Sequence, residues 1–241
     1  MKGKGLFITG SDTGVGKTVV AGGLVRLARK MGCCAVAVKP VETGCLVKNG
    51  ELFPEDGCFL WEASRRSITL DECCPFRFVF PAAPYRSAAV VGSQLFPKEI
   101  LNHIDEISQH ADLTIVEGAG GLMVPITERY FTIDLIADLG FPVLLVCRAK
   151  LGTLNHTMLS IEALRNRGLT ICGIVISSTD PRPGPEEEFI ISDMKRFLND
   201  IPVYPLDYLS EEVRSDAEKI ANRIEAVFPT DVLLVWFGLK D

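Results

Sequence analysis

A glycine-rich segment near the N-terminus lies between an apolar run and a helical pattern. Residues 10–18 have the sequence GSDTGVGKT and directly follow the apolar residues 5–9. Residues 17–30 then carry apolar side chains at helical spacing. A strand, a glycine-rich turn and a helix in this order form a phosphate-binding loop, in which backbone N–H groups and the helix N-terminus hold phosphate oxygens. The segment therefore predicts that the chain binds a nucleoside triphosphate.

The loop departs from the usual spacing of this motif. Five residues separate Gly10 from Gly16, one more than the usual pattern has, so Ser11 stands where the first glycine would lie. Lys17 is expected to reach the β- and γ-phosphates, and the Thr18 hydroxyl is expected to bind Mg²⁺. Asp12 occupies the position at which one variant of the loop carries an extra lysine. A second cation for the phosphates must then come from another part of the chain.

Length and composition limit the class of protein. The chain has 241 residues, 47% of them hydrophobic, so one α/β domain over residues 1–241 is expected. The formal net charge is −6 without a basic stripe, which argues against nucleic acid as a partner. Residues 1–5 lack the layout of a signal peptide, and no apolar run is long enough for a membrane span. We expect a soluble, cytoplasmic protein with no membrane partner, whose eight cysteines are reduced thiols rather than zinc ligands.

Short apolar runs alternate with helical patterns along the chain. The runs are apolar throughout, as is typical of parallel strands buried on both faces, and they cover residues 6–8, 35–38, 113–116, 143–146 and 171–176. Helices are predicted over residues 17–30, 56–66, 97–110, 133–139, 154–167, 185–198 and 211–228. This order predicts one doubly wound, mostly parallel sheet with helices on both faces, an α/β fold of the phosphate-loop NTPase type. Thr132 is a candidate helix cap, and the apolar tail 232–237 fits either an edge strand or the cover of an interface.

Ligands of such sheets bind at the carboxyl ends of the strands, where further candidate residues lie. Lys39 follows the strand 35–38 and could supply the second cation that neutralises charge during phosphoryl transfer. Glu117 ends the strand 113–116, where phosphate-loop enzymes hold Mg²⁺ or its water, and the glycines after it let a substrate approach the backbone. Asp56 opens a predicted helix and is either a second metal ligand or a helix cap.

A further segment follows the strand 143–146. Gly152 and Thr153 mark the start of a helix, and the N-terminus of that helix could accept an anionic substrate group. His156 has no evident carboxylate or serine partner in the sequence, which favours a structural role for this histidine.

Four motifs together resemble the dethiobiotin synthetase family. They are residues 10–18, residues 39–44 (KPVETG), residues 116–121 (VEGAGG) and residues 150–156 (KLGTLNH). The last is the most specific, because general phosphate-loop proteins have no reason to carry it. The resemblance implies an ATP-dependent ligase that joins CO₂ to 7,8-diaminopelargonate and closes the ureido ring of dethiobiotin, a step of biotin biosynthesis. In the family the substrate forms a carbamate, which attacks the γ-phosphate to give a carbamic-phosphoric anhydride before the ring closes.

The resemblance also implies roles for residues of this sequence. Lys17 and Lys39 would be the catalytic lysines that contact the carbamate and the γ-phosphate. Thr13 and Thr43 would bind the carbamate or the diamine. Mg²⁺ would be held by Thr18, Asp56 and Glu117. Further ATP-binding residues would be Thr13, Gly14, Val15, Gly16, Gly118, Ala119, Gly120, Ser177, Ser178, Leu206, Asp207 and Tyr208.

One of the four motifs resembles a site that two subunits share. Leu151, Gly152 and Asn155 match the turn that binds the substrate carboxylate in the family. In the family this turn comes from the neighbouring subunit, which implies a homodimer with the active site at its interface.

Three segments depart from the family pattern. Ser177 and Ser178 stand where the family often has an asparagine that recognises adenine, and a serine offers only one hydroxyl. Tyr85 replaces the histidine of a Pro-x-x-Pro-His segment, and residues 203–208 match a base-contacting loop poorly. These differences concern nucleotide preference rather than the reaction class.

Three alternatives stay open from the sequence. Cobyrinate amidase-type synthetases share the loop variant, but they need a glutaminase domain with a nucleophilic cysteine, for which 241 residues leave no room. A nucleotide-dependent switch would carry the same loop, and Asp12 argues against the membrane and partition members of that group. A relative that binds ATP without ligase activity would carry the same residues, so only an assay separates it from the ligase.

Overall fold

A six-stranded parallel sheet forms the centre of the molecule. The structure is a computed structural model and describes residues 4–239. The strands of this part of the chain are β1 (Gly5–Gly10), β2 (Ala35–Val38), β3 (Val41–Thr43), β4 (Leu46–Lys48), β5 (Glu51–Phe53), β6 (Phe76–Phe78), β7 (Leu113–Gly121), β8 (Val143–Arg148), β9 (Ile171–Ser177) and β10 (Val203–Leu206). The central sheet has the order β10–β9–β8–β1–β7–β2, and all of its pairs are parallel.

Helices connect these strands. They are α1 (Lys17–Lys30), α2 (Glu55–Ala63), α3 (Leu70–Cys73), α4 (Pro84–Val90), α5 (Pro97–Ser108), α6 (Thr132–Leu139), α7 (Thr153–Asn166), α8 (Pro185–Phe197), α9 (Glu211–Arg214), α10 (Ala217–Val227) and α11 (Thr230–Trp236). Among the helices of residues 4–239, none has the length and apolar character needed to cross a membrane.

The core lies on both faces of the central sheet. Successive side chains of β1 point to opposite faces, as in any strand. Leu6 and Ile8 therefore pack with apolar residues of α1 and α10, whereas Phe7 packs with those of α5 and α6. Helices thus cover both faces of the central sheet, which explains why its strands are apolar throughout. This arrangement confirms the predicted doubly wound α/β fold.

Two short ribbons lie outside the central sheet. β3 pairs with β6 in parallel, and β4 pairs with β5 in antiparallel orientation. Only Lys39 and Pro40 separate β2 from β3. Because Pro40 has no N–H group to continue the ladder, the chain leaves the central sheet there and forms β3 beside β6.

At the C-terminus one helix prediction is wrong, and one of the two alternatives for the tail is excluded. The pattern over residues 211–228 forms two helices, α9 and α10. The break occurs because the Asp216 carboxylate caps α10 by accepting the N–H groups of Glu218 at 2.9 Å and Lys219 at 3.2 Å. The tail 232–237 is not an edge strand: its first five residues belong to α11, and Phe237 is buried just after that helix.

The predicted cap of α6 is also wrong. Thr132 is the first residue of this helix, and Phe131 precedes it as the N-cap residue. The Asp134 carboxylate reaches back and accepts the N–H group of Phe131 at 2.8 Å. The remaining predicted helices begin and end within three residues of α1, α2, α5, α6, α7 and α8.

Candidate active site

The glycine-rich loop joins β1 to α1 at the carboxyl edge of the sheet. Gly14 and Gly16 have φ angles of +70° and +101°, in the left-handed region that favours glycine. Gly16 directly precedes α1, and no side chain of the described residues caps the helix there. The first N–H groups of α1 are therefore available to an anion, as the predicted phosphate site requires.

Lys17 is held inside this loop. Its ammonium donates to the carbonyl oxygen of Asp12 at 2.9 Å, and the residue is buried. Burial is the main reason that the pKa of Lys17 is lowered, although Glu117 acts against it. The Asp12 carboxylate accepts the N–H group of Thr13 at 2.7 Å and pairs with Arg148 at 3.1 Å. The lysine thus points into the loop, where a phosphate could replace the carbonyl as its partner.

Three charged side chains meet beside the loop. Lys39, directly after β2, donates to Asp56 of α2 and to Glu117 Oε1 of β7, the latter at 2.8 Å. The Thr18 hydroxyl of α1 donates to the same Glu117 oxygen at 2.8 Å. Lys39 and Glu117 are only 5% and 1% exposed. The fold therefore brings together four predicted site residues, three from α1, α2 and β7 and one from the link between β2 and β3.

Burial and opposite charges act against each other in this cluster. Burial disfavours the charge on Lys39, but Glu117 and Asp56 outweigh it and raise the pKa of Lys39. Burial would raise the pKa of Asp56, but Lys39 outweighs it and lowers that pKa. For Glu117 burial prevails over the attraction of Lys39, so the pKa is raised. The cluster therefore contains a firmly protonated lysine next to an ionised aspartate.

The oxygen atoms of the cluster fit a hard cation such as Mg²⁺. Glu117 Oε2 is buried and has no hydrogen-bond partner among the described residues, which is costly for a carboxylate oxygen unless a ligand satisfies it. Thr18 and Asp56 add further oxygens, the ligand type that Mg²⁺ prefers. Within residues 4–239 no group of three or more His, Cys, Asp and Glu side chains could hold a metal. Phosphate and water oxygens would have to complete the coordination.

The charged cluster opens into a cavity of about 640 Å³. Its lining includes Thr13, Gly14, Gly16, Lys17, Thr18, Lys39, Glu42, Thr43, Asp56, Glu117, Ala119 and Gly120. An apolar part of the wall is made of Val41, Val124 and residues 81–84. The cavity thus joins the phosphate loop to an apolar surface, as a site for a nucleotide beside an aliphatic substrate requires.

Comparison with known proteins agrees with this geometry. The AAA domain family matches residues 4–211. An ATP-dependent dethiobiotin synthetase of Anaeromyxobacter dehalogenans (strain 2CP-C) is 40% identical over 225 residues, which cover 92% of this chain and 99% of the relative. This chain belongs to the dethiobiotin synthetase family. A second relative, the ATP-dependent dethiobiotin synthetase of Thermodesulfovibrio yellowstonii, is 37% identical over 86% of this chain and 90% of its own.

A solved structure shares the fold of this dethiobiotin synthetase family member. The ParA family ATPase from Chlorobium tepidum TLS aligns with 98% of this chain and 97% of its own, with a TM-score of 0.52. Its sequence identity is 15%, so the similarity concerns the fold alone.

The residues that the family resemblance assigns to the base lie outside the cavity, and Ser177 lies beside the loop. Ser177 ends β9, and its Oγ lies 3.4 Å from where a Cβ at Gly16 would be. Ser178 is buried, and its hydroxyl already lies 3.0 Å from Glu187 Oε2. Leu206 is the buried last residue of β10, so this part of segment 203–208 is a strand rather than a loop. Asp207 and Tyr208 follow it and are exposed.

The remaining predicted residues of the family site differ in placement. Val15 is buried within the loop, and Gly118 packs next to Phe7, so neither lines the cavity. Leu151 and Asn155 are exposed around the start of α7, and Leu151 is 99% accessible. Gly152, at φ +90°, directly precedes α7, as predicted. A single chain therefore leaves these three turn residues outside the cavity.

Glu42 is a site residue that the sequence analysis did not identify. Its carboxylate lines the cavity and accepts the N–H groups of Asp56 at 3.1 Å and Gly57 at 2.7 Å. Burial raises the pKa of Glu42, although Lys39 acts against it. The residue stands inside the motif 39–44, but its partners lie 14 and 15 positions further along the chain. Spacing in the sequence gave no sign of this contact.

Proposed function

We propose that the protein is an ATP-dependent ligase that converts 7,8-diaminopelargonate and CO₂ into dethiobiotin, with ADP and phosphate as the other products. The observation that supports this proposal is the contact of Lys39, Asp56, Glu117 and Thr18 beside a phosphate-binding loop, in a member of the dethiobiotin synthetase family. The two relatives described above are named ATP-dependent dethiobiotin synthetases, which supports both the nucleotide and the product.

The loop and the two lysines would hold the phosphates of ATP. Lys17 would exchange the Asp12 carbonyl for the β- and γ-phosphates, which need a cation at that place. Lys39 would contact the γ-phosphate and the carbamate and neutralise the charge that builds up during transfer. Mg²⁺, held by Thr18, Asp56 and Glu117, would supply further neutralisation of the transferred phosphoryl group.

The diamine would occupy the apolar part of the cavity. Val41, Val124 and residues 81–84 suit an aliphatic chain, and the hydroxyls of Thr13 and Thr43 suit its polar end. One amine attacks CO₂ and loses a proton to form a carbamate. A carbamate oxygen attacks the γ-phosphorus and ADP leaves, and the second amine then attacks the carbonyl carbon and expels phosphate. These steps depend on positioning more than on side-chain acids and bases.

The substrate carboxylate is proposed to bind at the turn of a second subunit. Leu151, Gly152 and Asn155 lie outside the cavity of their own chain, and α7 also exposes Met158 and Leu159. Apolar exposure of this kind supports a partner surface. The proposal is therefore a homodimer in which each turn completes the neighbouring site.

A cytoplasmic location is part of the same proposal. All eight cysteines, which lie within the described residues, are free thiols. Free thiols in this number fit a reducing compartment such as the cytoplasm.

Phosphate release from Mg-ATP and bicarbonate, with and without 7,8-diaminopelargonate, tests the proposed reaction. We expect release to depend on the diamine and to accompany a product with the mass of dethiobiotin. Phosphate release that ignores the diamine, or no release at all, would contradict the ligase. Either result would favour a nucleotide-dependent switch and direct the search to a protein partner.

A further inference from the structure

The helix that carries Asp56 receives its cap from a different element. α2 begins at Glu55 after Pro54, whose side chain has no oxygen, and Pro54 makes no side-chain cap hydrogen bond. The first N–H groups of a helix need acceptors from outside the helix. Glu42 of β3 supplies them: Oε1 accepts from Asp56 at 3.1 Å, and Oε2 accepts from Gly57 at 2.7 Å.

The surroundings of Glu42 hold its carboxylate in this position. Glu42 is 6% exposed, and β3 is fixed by its pairing with β6. A Cβ at Gly57 would lie 2.7 Å from the Cβ of Cys74 and 3.3 Å from Glu42 Oε2, so the absence of a side chain there makes room for the contact. The Cys74 thiol lies 3.8 Å from the same oxygen. The first turn of α2 is therefore packed around the Glu42 carboxylate.

The hydrogen-bond partners of Glu42 distinguish it from the metal ligand Glu117 proposed above. Both of its oxygens accept main-chain N–H groups, whereas Glu117 Oε2 has no partner among residues 4–239. A carboxylate at a helix N-terminus is also stabilised by the positive end of the helix dipole. Both oxygens of Glu42 are thus engaged by main-chain donors of α2, whereas the proposed metal ligand Glu117 keeps one oxygen without a partner among the described residues.

We infer that Glu42 is a positioning residue of the metal site, which holds the first turn of α2 so that Asp56 lies beside Lys39 and Glu117. The inference rests on the proposed function only in assuming that Mg²⁺ binds here together with the nucleotide. Without Glu42, the N–H groups of Asp56 and of the buried Gly57 lose their acceptors, and Asp56 loses its fixed position. The loop residues that hold the phosphates make no hydrogen bond to Glu42 among those described, so they should be unaffected.

Nucleotide binding with and without metal tests this role. A non-hydrolysable ATP analogue is titrated calorimetrically into the protein, once with Mg²⁺ and once with EDTA. The dissociation constant in EDTA divided by the one in Mg²⁺ is the factor by which Mg²⁺ strengthens binding, and this factor is the ratio compared below. Replacing a group that orients a metal ligand usually weakens metal binding by roughly 10- to 100-fold. We expect Glu42→Ala to reduce the ratio by this factor while affinity in EDTA stays at the wild-type value.

Two variants control for loss of structure. Glu72→Ala removes another capping carboxylate, which accepts the Thr69 N–H at 2.6 Å at the start of α3 and lies outside the cavity. It should leave the ratio unchanged. Glu42→Gln preserves the shape of the side chain and one acceptor oxygen, so it should give an intermediate ratio. This variant replaces Glu42→Ala in the test if Glu42→Ala does not fold.

Several results would overturn the inference. One is a folded Glu42 variant with the wild-type ratio. Another is a Glu42 variant whose analogue affinity is weakened equally in Mg²⁺ and in EDTA. A third is a wild-type protein whose analogue affinity does not depend on Mg²⁺. A Glu42→Gln protein with a normal ratio, whose turnover no longer falls at low pH, would indicate that Glu42 is a proton acceptor instead. None of these measurements requires dethiobiotin to form except the last, so failure of the ligase assay is a separate result.

Discussion

The two buried lysines of the site hold their protons with different strengths. Burial lowers the pKa of Lys17 below its ordinary value of 10.5, whereas Glu117 and Asp56 overcome burial and raise that of Lys39. Only protonated Lys17 attracts phosphate, so affinity for an ATP analogue in EDTA should fall with rising pH, beginning below the ordinary pKa of lysine. Lys39 stays charged over that range. Calorimetric titration from neutral pH upward measures the effect, and constant affinity up to pH 10.5 would contradict it.

Replacement of Lys39 by alanine separates binding from turnover. Lys39 lies outside the loop and would contact only the γ-phosphate of the nucleotide, so analogue affinity in EDTA should change far less than turnover. Turnover should fall by roughly 10²- to 10³-fold, the usual effect of removing one group that stabilises developing charge. Steady-state kcat and analogue binding are the two measurements, and the exposed Lys48→Ala is the matched control. Normal turnover in Lys39→Ala would show that the site is assigned wrongly.

Residues directly after strands could be predicted from the sequence, and Glu42 could not. Lys39 and Glu117 were predictable because the carboxyl ends of parallel strands meet at one edge of a sheet. Asp56 needed the family resemblance, since aspartate at a helix start is commonly only a cap. Glu42 depends on how β3 lies against α2, and no local pattern contains that information.

At the scale of elements, α1 lies close to its neighbours because two glycines face them. A Cβ at Gly23 would lie 2.5 Å from Ile220 Cγ2, and one at Gly22 would lie 2.3 Å from Phe59 Cε1. Ile220 is fully buried, whereas Phe59 is half-buried and can turn aside. Alanine gains about 1 kcal/mol in helix propensity over glycine. We still expect Gly23→Ala to destabilise the protein by about 1–3 kcal/mol through overpacking.

Urea unfolding of the two glycine variants measures this difference. Gly22→Ala is the matched control, because it makes the same change one position away against a side chain that can move. We expect it to lower the free energy of unfolding less than Gly23→Ala does. A Gly23→Ala protein as stable as wild type would mean that α10 can shift away from α1 at little cost.

The bounds of the strands that are buried on both faces were predicted with unequal accuracy. β2 occupies residues 35–38 as expected, whereas β7 extends past the predicted residue 116 because its glycine segment continues the ladder and Gly121 pairs with Gly10. The tail 232–237 could not be assigned, since a short apolar run has no distinguishable period. Its helix forms because Leu233 and Phe237, four residues apart, both reach the core.

At the scale of the whole molecule, the proposed homodimer can be tested by mixing inactive subunits. In a hybrid of Lys17→Ala and Asn155→Ala subunits, one of the two shared sites contains neither substitution. Random mixing should then restore about a quarter of wild-type turnover, since half of the dimers are hybrids and half of their sites are intact. Mixing Lys17→Ala with Lys39→Ala is the control, because every site keeps one substitution. Inactive mixtures in which the hybrid dimer is shown to form would exclude a shared site.

The hydrogen bonds from Lys39 to Asp56 and Glu117 also determine the charge that the site presents to a metal ion. The ammonium acts as an internal counter-ion for both carboxylates, so it repels a divalent cation that approaches Glu117 Oε2, the oxygen without a partner among residues 4–239. Bound phosphates would supply negative charge for both the lysine and the cation. Metal and nucleotide are therefore linked, and each raises the affinity for the other by the same factor. Titration with Mn²⁺ alone should therefore show weaker binding than titration in the presence of an ATP analogue, because Lys39 repels the cation when no phosphate is bound.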